Sequence, residues 1–193
     1  MTNDPFSRFR AWLDEARDRE PRWAEVMVLA TAGSEGRASA RAVVLTGWDE
    51  EGLVFFTDCR SRKGADLAAQ PVAAAVFLWP VTQRQVRVEG PVAELSEAES
   101  DASFESTPRR GRLVVWASPQ DEVVPDREHL EQRLAEVESR FAGGEVPRPP
   151  WWRGYRLRPD TFEFWAARDD ALHDRFRHRW EAGGRWLPER LAP

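Results

Sequence analysis

Residues 26–57 read VMVLATAGSEGRASARAVVLTGWDEEGLVFFT, and this stretch decides the fold. Val26–Ala32 is an apolar run, Gly33-Ser34-Glu35-Gly36 a turn, and Ala38–Leu45 a second run that alternates small and apolar residues around Arg41. Trp48-Asp49-Glu50-Glu51-Gly52 is a second turn, and Leu53–Thr57 a third run. Short apolar segments joined by hairpin-length, glycine-bearing turns predict a β-meander.

Upstream, Asp4–Arg17 predicts an amphipathic helix within an N-terminal segment, residues 1–20. Phe6, Phe9 and Trp12 recur at helical spacing, Asp4 can cap, and Pro5 suits the first turn. Downstream, Ser61–Gln70 predicts a short helix ended by Pro71, and Val72–Trp79 a strand of the fully buried type. Gln85–Glu94 alternates Val86, Val88 and Val92 with polar residues. Ser96–Glu105 predicts a helix with a capping box, Glu99 standing three residues after Ser96. Asp126–Phe141 predicts a further helix with Leu130, Leu134, Val137 and Phe141 on one face. Residues 143–153 form a Gly/Pro loop. Three short strands follow, near Gly154–Arg158, Thr161–Ala166 and Arg175–Glu181, with Gly183-Gly184 turning into Arg185-Trp186-Leu187. Strands without strict βαβ alternation argue for a mainly antiparallel β fold with surrounding helices, in one domain over residues 1–193.

The chain has 193 residues, enough for a sizeable core, and a net charge of −5, which argues against a nucleic-acid binder. No apolar run approaches the ~20 residues that span a bilayer, and the start of the chain lacks a signal-peptide pattern, so the expected location is the cytoplasm. One cysteine, Cys59, and three scattered histidines leave no convincing metal site. The ten tryptophans are expected to fill a core or a subunit interface, with one or two facing a planar ligand. The chain has no Gly-x-Gly-x-x-Gly, no phosphate loop and no Gly-x-Ser-x-Gly elbow, which disfavours Rossmann, P-loop and serine-hydrolase chemistry.

The chemistry-bearing residues are mostly cations. Ser61-Arg62-Lys63 opens a helix, where free N–H groups and the positive end of the dipole favour an anion. Two more cations at that end make sense if an anion binds; a solvated basic patch is the plain alternative. Arg41 lies within an apolar strand and requires a partner, either a ligand phosphate or a protein carboxylate. Arg84-Gln85 and Arg87 open another strand, and Glu163 and His173-Asp174-Arg175 are polar points among apolar neighbours.

Together these stretches resemble the pyridoxamine 5'-phosphate oxidase family. The resemblance runs from Asp4-Pro5-Phe6 through Arg41–Leu45, Phe55–Asp58, Ser61–Gly64, Arg84–Gly90, Trp116-Ala117-Ser118, Pro147-Arg148-Pro149 and Gly154-Tyr155-Arg156. It continues through Phe162–Trp165 and Leu172–Arg175 to Arg190–Pro193. It implies an FMN-binding split β-barrel that forms a homodimer with FMN at the subunit interface. On the matching positions, Arg41, Ala42, Val43, Val44, Leu45, Phe56, Thr57, Ser61, Arg62, Lys63, Gln85, Gln120, Trp165 and Arg175 would line the cofactor. His173 and Arg175 would position substrate and flavin. Where the family has Gln-Ser, this chain has Gln120-Asp121, and an Asp beside a phosphate repels it.

The substrate side departs further. The family's Lys, Tyr, Arg and Ser around the substrate phosphate are here Thr46, Ser103, Thr107 and Gly111, and an Arg two residues before the family's His is Ala171, with His173 kept. Charge-assisted contacts are worth roughly 1.5–3 kcal/mol each, so losing several weakens a phosphate dianion by orders of magnitude. The resemblance then implies an FMN oxidase of another small ring substrate. That substrate gives hydride to the flavin and dioxygen reoxidises it; the flavin oxidase branch of phenazine biosynthesis exemplifies the type. Two alternatives stand beside it. One is an authentic pyridoxine/pyridoxamine phosphate oxidase in which Arg109, Arg110 or Arg112 replaces the missing contacts. The other is a flavin-binding protein without turnover.

Overall fold

The first helix, α1 (Pro5–Arg19), shows how sequence periodicity becomes core. Phe6, Phe9, Leu13 and Ala16 recur at spacings of three and four and are buried. The Asp4 carboxylate accepts the N–H groups of Phe6 and Ser7, as its capping position predicts. Phe9 meets Phe77 and Trp48 edge-on, with ring centroids 5.3 Å away in each case. Trp12 stands at the margin of this stripe, against Phe164 and under Arg84. The computed structural model describes residues 4–193, so residues 1–3 of the expected N-terminal segment lie outside the described residues.

The elements that follow are β1 (Val26–Ala32), β2 (Ala38–Val44), β3 (Gly47–Asp49), β4 (Gly52–Asp58), α2 (Arg62–Ala69), β5 (Val72–Trp79) and β6 (Arg84–Glu94). Then come α3 (Glu97–Ser106), α4 (Arg109–Ala117), α5 (Arg127–Arg140), β7 (Trp152–Leu157), β8 (Thr161–Ala166), β9 (Asp174–Glu181) and β10 (Arg185–Arg190). The main sheet runs β10-β9-β8-β6-β5-β1-β2, antiparallel at every pairing given by register. Chain contacts divide the protein into two units. One holds the chain up to Phe55 with Asp66–Ala93 and Arg156–Pro193; the other holds Phe56–Ala65 and Glu94–Tyr155.

In the first unit the sheet buries Phe77, Trp79, Val86, Val88, Phe162 and Phe164 on one face. Two expectations change here. Val72–Trp79 is not buried throughout: Ala73, Ala75, Phe77 and Trp79 point inward, while Val72 and Leu78 point out, Leu78 being 59% exposed. An antiparallel strand has two faces, and this one covers only one of them within the chain. The second turn is also tighter than Trp48–Gly52. Trp48 pairs with Leu53 and Asp49 with Gly52, leaving Glu50-Glu51 as the turn. The Asp49 carboxylate accepts the N–H groups of Glu51 and Gly52. Gly52 has φ +145°, and a Cβ there would lie 2.2 Å from the Leu157 carbonyl oxygen, so only glycine fits.

In the second unit the Ser96–Glu99 capping box closes in both directions, and the Asp126 carboxylate caps α5 through His129 N–H. Helix α4 was not expected from the sequence. It starts after Pro108 without a side-chain cap, and its first turn holds Arg109, Arg110, Gly111 and Arg112, a composition that disfavours a helix start. No residue of α5 is fully buried; Leu130 and Leu134 face a groove lined by Val114 and Ala117 of α4.

Candidate active site

The start of α2, in the second unit, gathers four of the expected cofactor residues. Lys63, only 9% exposed, donates to Ser61 Oγ at 3.0 Å and to Gln120 Oε1 at 2.9 Å. The same Gln120 oxygen accepts from the buried Thr57 hydroxyl at 3.0 Å, and Ser61 Oγ donates to the Asp58 carbonyl. Gly64 lets this turn close: a Cβ there would lie 2.3 Å from the Cys59 carbonyl oxygen. A buried ammonium, two hydroxyls and the N–H groups of a helix start are the donor set that a phosphate monoester requires.

Asp121 follows Gln120 in the left-handed region, at φ +68°. Its Oδ2 accepts the Arg62 backbone N–H at 2.8 Å. A carboxylate therefore sits at the positive end of α2. The sequence predicts repulsion between Asp121 and a phosphate; the structure adds that both would seek the same donor.

Arg41, in the first unit, has protein partners. One Nη donates to the Leu29 carbonyl at 3.1 Å and Thr31 Oγ1 at 2.9 Å, and the other to Ser39 Oγ at 2.6 Å. The buried Asp66 carboxylate lies 4.0 Å from this guanidinium and accepts the Thr31 hydroxyl at 2.7 Å. The strand arginine thus has a protein carboxylate beside it, one of the two alternatives its position left open. Sequence reading missed Asp66, although an acid one turn after Lys63 on α2 is visible once the helix is drawn. Ala42 and Val44 are exposed, Val43 is half-buried, and Leu45 is buried.

Three more expected residues form one cross-strand row. Gln85 of β6 pairs with Trp165 of β8, which pairs with Arg175 of β9. The next row on the same face is Arg87, Glu163 and Arg177. Glu163 accepts Arg175 through both oxygens, at 3.0 and 3.1 Å, and Arg87 Nη2 at 3.1 Å. The Glu163 contact holds Arg175 protonated above the usual guanidinium range. The His173 ring lies 4.8 Å from Trp165, centroid to centroid, and its Nδ1 accepts the Arg168 backbone N–H at 3.1 Å. With Nδ1 accepting, Nε2 is the ring nitrogen that carries the donor hydrogen.

The expected substrate residues lie on or beside different elements. Ser103, Thr107 and Gly111 cluster where α3 passes into α4: the Thr107 hydroxyl donates to the Ser103 carbonyl, and a Cβ on Gly111 would lie 2.9 Å from Thr107 Cγ2. Thr46, in the first unit, donates its hydroxyl to the Val54 carbonyl. Ala171, at φ +59°, and His173 lie in the turn from β8 to β9. Two of the three nearby arginines are committed. Arg109 donates to the carbonyls of Gly144 and Phe141 at 2.6 Å each, and Arg110 pairs with Glu138. Arg112 lines a cavity with Asp101, Glu105 and Glu145, and its buried Nε has no hydrogen-bond partner.

Comparison with known proteins supplies the family. Residues 13–141 match the family model described as pyridoxamine 5'-phosphate oxidase, and residues 152–193 match the pyridoxine 5'-phosphate oxidase C-terminal dimerisation region. The chain is 48% identical over 193 residues to a pyridoxine/pyridoxamine 5'-phosphate oxidase of Cupriavidus pinatubonensis, covering 100% of this chain and 91% of that one. It is 50% identical over 189 residues to the oxidase of that name from Ralstonia pickettii, covering 98% and 89%. Among solved structures it is similar to PhzG from Burkholderia lata 383, determined with tetrahydrophenazine-1-carboxylic acid. There the TM-score is 0.93 and the identity 34%, over 99% of this chain and 93% of that one. An FMN-binding protein of Nostoc punctiforme, 22% identical with a TM-score of 0.79, shares the fold. The chain belongs to the pyridoxamine 5'-phosphate oxidase family: it has that family's FMN-binding split-barrel fold and is one of its FMN-dependent oxidases.

Proposed function

We propose that this enzyme oxidises a small reduced ring substrate other than pyridoxine or pyridoxamine phosphate, with dioxygen as the acceptor. Bound FMN would supply the redox chemistry, accepting a hydride from the substrate and returning two electrons and two protons to dioxygen as hydrogen peroxide. Ser61, Arg62, Lys63, Thr57 and Gln120 would hold its phosphate, and Arg41, with Asp66 beside it, would contribute positive charge. Gln85, Trp165 and Arg175 present one row of polar and aromatic groups to the ring, together with Phe56 and the backbone from Ala42 to Leu45. His173 donates Nε2–H to the substrate and orients it; hydride transfer then requires no strong base from the protein.

The observation that carries the substrate reading is the commitment of Arg109 and Arg110 and the acidic surroundings of Arg112. Arg109 and Arg110 are held by carbonyls and by Glu138, and Arg112 shares its cavity with three carboxylates. Neither Arg109 nor Arg110 is free to replace the family cations missing at Thr46, Thr107 and Ala171, and the carboxylates around Arg112 oppose an anion there. A dianion gains little there.

A homodimer is supported by the match to the dimerisation region and by an uncovered apolar patch. Trp23 (54% exposed), Val26, Val28, Val76, Leu78, Pro80 and Val81 line it, with Gln85 at its edge. We place FMN at the subunit boundary, next to this patch.

The second reading, an authentic vitamin B6 phosphate oxidase, is favoured by the 44–50% identity to curated relatives of that name. Anaerobic bleaching of the flavin separates the two. Our reading predicts rapid bleaching by a reduced ring compound such as a dihydrophenazine carboxylate and slow bleaching by pyridoxine 5'-phosphate at low concentration. Efficient bleaching by pyridoxine 5'-phosphate overturns it.

A further inference from the structure

Glu163 is a buried carboxylate to which the functional reading gives no task. It is 4% exposed and lies two residues before Trp165, so both side chains stand on the same face of β8. Its two oxygens bind Arg175 in bidentate fashion through Nε and Nη2, and one of them also accepts from Arg87. Arg177, in register with Glu163, turns instead to Glu189. Glu163 therefore serves Arg175 and Arg87.

Arg175 is fixed at a third nitrogen by the Ala192 carbonyl, 3.3 Å from Nη1. Three of the five guanidinium donors are thus occupied, leaving two for a ligand. Arg87 has a second acid: its Nε lies 2.8 Å from Glu89 Oε1, an ion pair without hydrogen-bond alignment. Two arginines and two glutamates then form a cluster of zero net charge beside Trp165.

We propose that Glu163 is a positioning and charge-balancing residue for the flavin, which fixes the direction of the spare Arg175 donors and offsets the Arg175 charge at the ring. This rests on the reading that Trp165 and Arg175 line FMN. Hydride transfer adds one negative charge to the flavin ring, so a bare cation nearby favours the reduced form. Glu163 keeps that preference down. Removing the Glu163 charge leaves the cluster at +1, and removing Arg87 leaves it at −1. The two changes move the reduction equilibrium in opposite directions.

The test uses FMN-loaded dimer reduced stepwise against a reference dye, with wild type, Glu163→Gln and Arg87→Met compared at one pH. Glu163→Gln is expected to shift the equilibrium toward reduced flavin by about tenfold, about 30 mV for a two-electron couple. Arg87→Met is expected to shift it toward oxidised flavin. A residue that merely staples the sheet lowers the melting temperature of both variants and leaves the equilibrium alone. Unchanged equilibria, or shifts of the same sign in both, overturn the proposal. Where Glu163→Gln fails to fold, the sign for Arg87→Met decides by itself: a shift toward oxidised flavin supports the proposal, and any other result overturns it. Wild-type protein that binds no FMN refutes the flavin reading, an outcome distinct from failure of the Glu163 assignment.

Discussion

Asp121→Asn tightens FMN binding. On the proposed reading the cofactor phosphate and the Asp121 carboxylate compete for the start of α2, where Asp121 Oδ2 accepts the Arg62 N–H at 2.8 Å. Two like unit charges about 4 Å apart repel by about 1 kcal/mol in water and about 4 kcal/mol at the effective dielectric of a protein surface. Asp121 is exposed and the phosphate carries close to two charges, so a net cost of about 2 kcal/mol is a central figure, roughly 30-fold in affinity. Asparagine keeps the shape and tolerates the left-handed backbone at φ +68°, so the change isolates charge. The free protein loses a carboxylate at a helix N-terminus and is destabilised by about 0.3–1 kcal/mol. Quenching of flavin fluorescence on titration into apoprotein gives the dissociation constant, repeated at several salt concentrations. The advantage of Asp121→Asn shrinks as salt rises, because the repulsion is screened. Equal or weaker FMN affinity in Asp121→Asn, at low salt, refutes the argument.

Lys63→Ala and Arg41→Ala each weaken FMN binding at least tenfold while the dimer stays folded, read by the same titration and by sedimentation; unchanged affinity in both contradicts the phosphate assignment. Leu78→Glu, placed in the uncovered apolar patch, yields monomer in sedimentation; a dimer of unchanged stability counts against that face. Phe9→Ala, in the fully buried stripe of α1, costs about 3–5 kcal/mol in denaturant unfolding, and a loss under 1 kcal/mol contradicts the packing described. Contacts with Arg179 and Arg177 depress the Glu189 carboxyl to about 2. A depressed carboxyl stabilises the fold fully above its ordinary value near 4.5 and less as pH falls toward 2, so melting temperature drops across that window, and less steeply in Glu189→Gln.

What the sequence revealed was what neighbours along the chain decide. The caps at Asp4, Ser96 and Asp126 each bond to an N–H two or three residues ahead, and their helices were legible for that reason. An apolar run located β1, alternation located β2 and β6, and β8 stood out as one of three short strands after the Gly/Pro loop. Helix α4 was hidden because Arg109-Arg110-Gly111-Arg112 carries no capping signal, and its pairing with α5 through Arg110 and Glu138 spans 28 residues. The exposed face of β5 was hidden because an apolar run reads alike whether its second face meets this chain or another. At the site, the cations stood out against apolar surroundings, whereas their acidic partners did not. Asp66 reaches Thr31 across 35 residues and Asp121 reaches Arg62 across 59, distances over which a sequence pattern carries no sign.

The structure of the dimer with FMN bound tests the account most directly. It is predicted to place the cofactor phosphate within hydrogen-bonding distance of Lys63 Nζ and the Ser61 hydroxyl, with Asp121 turned away from the Arg62 N–H. A phosphate held elsewhere, with Asp121 still on that N–H, contradicts the assignment of α2 as the anchor of the flavin.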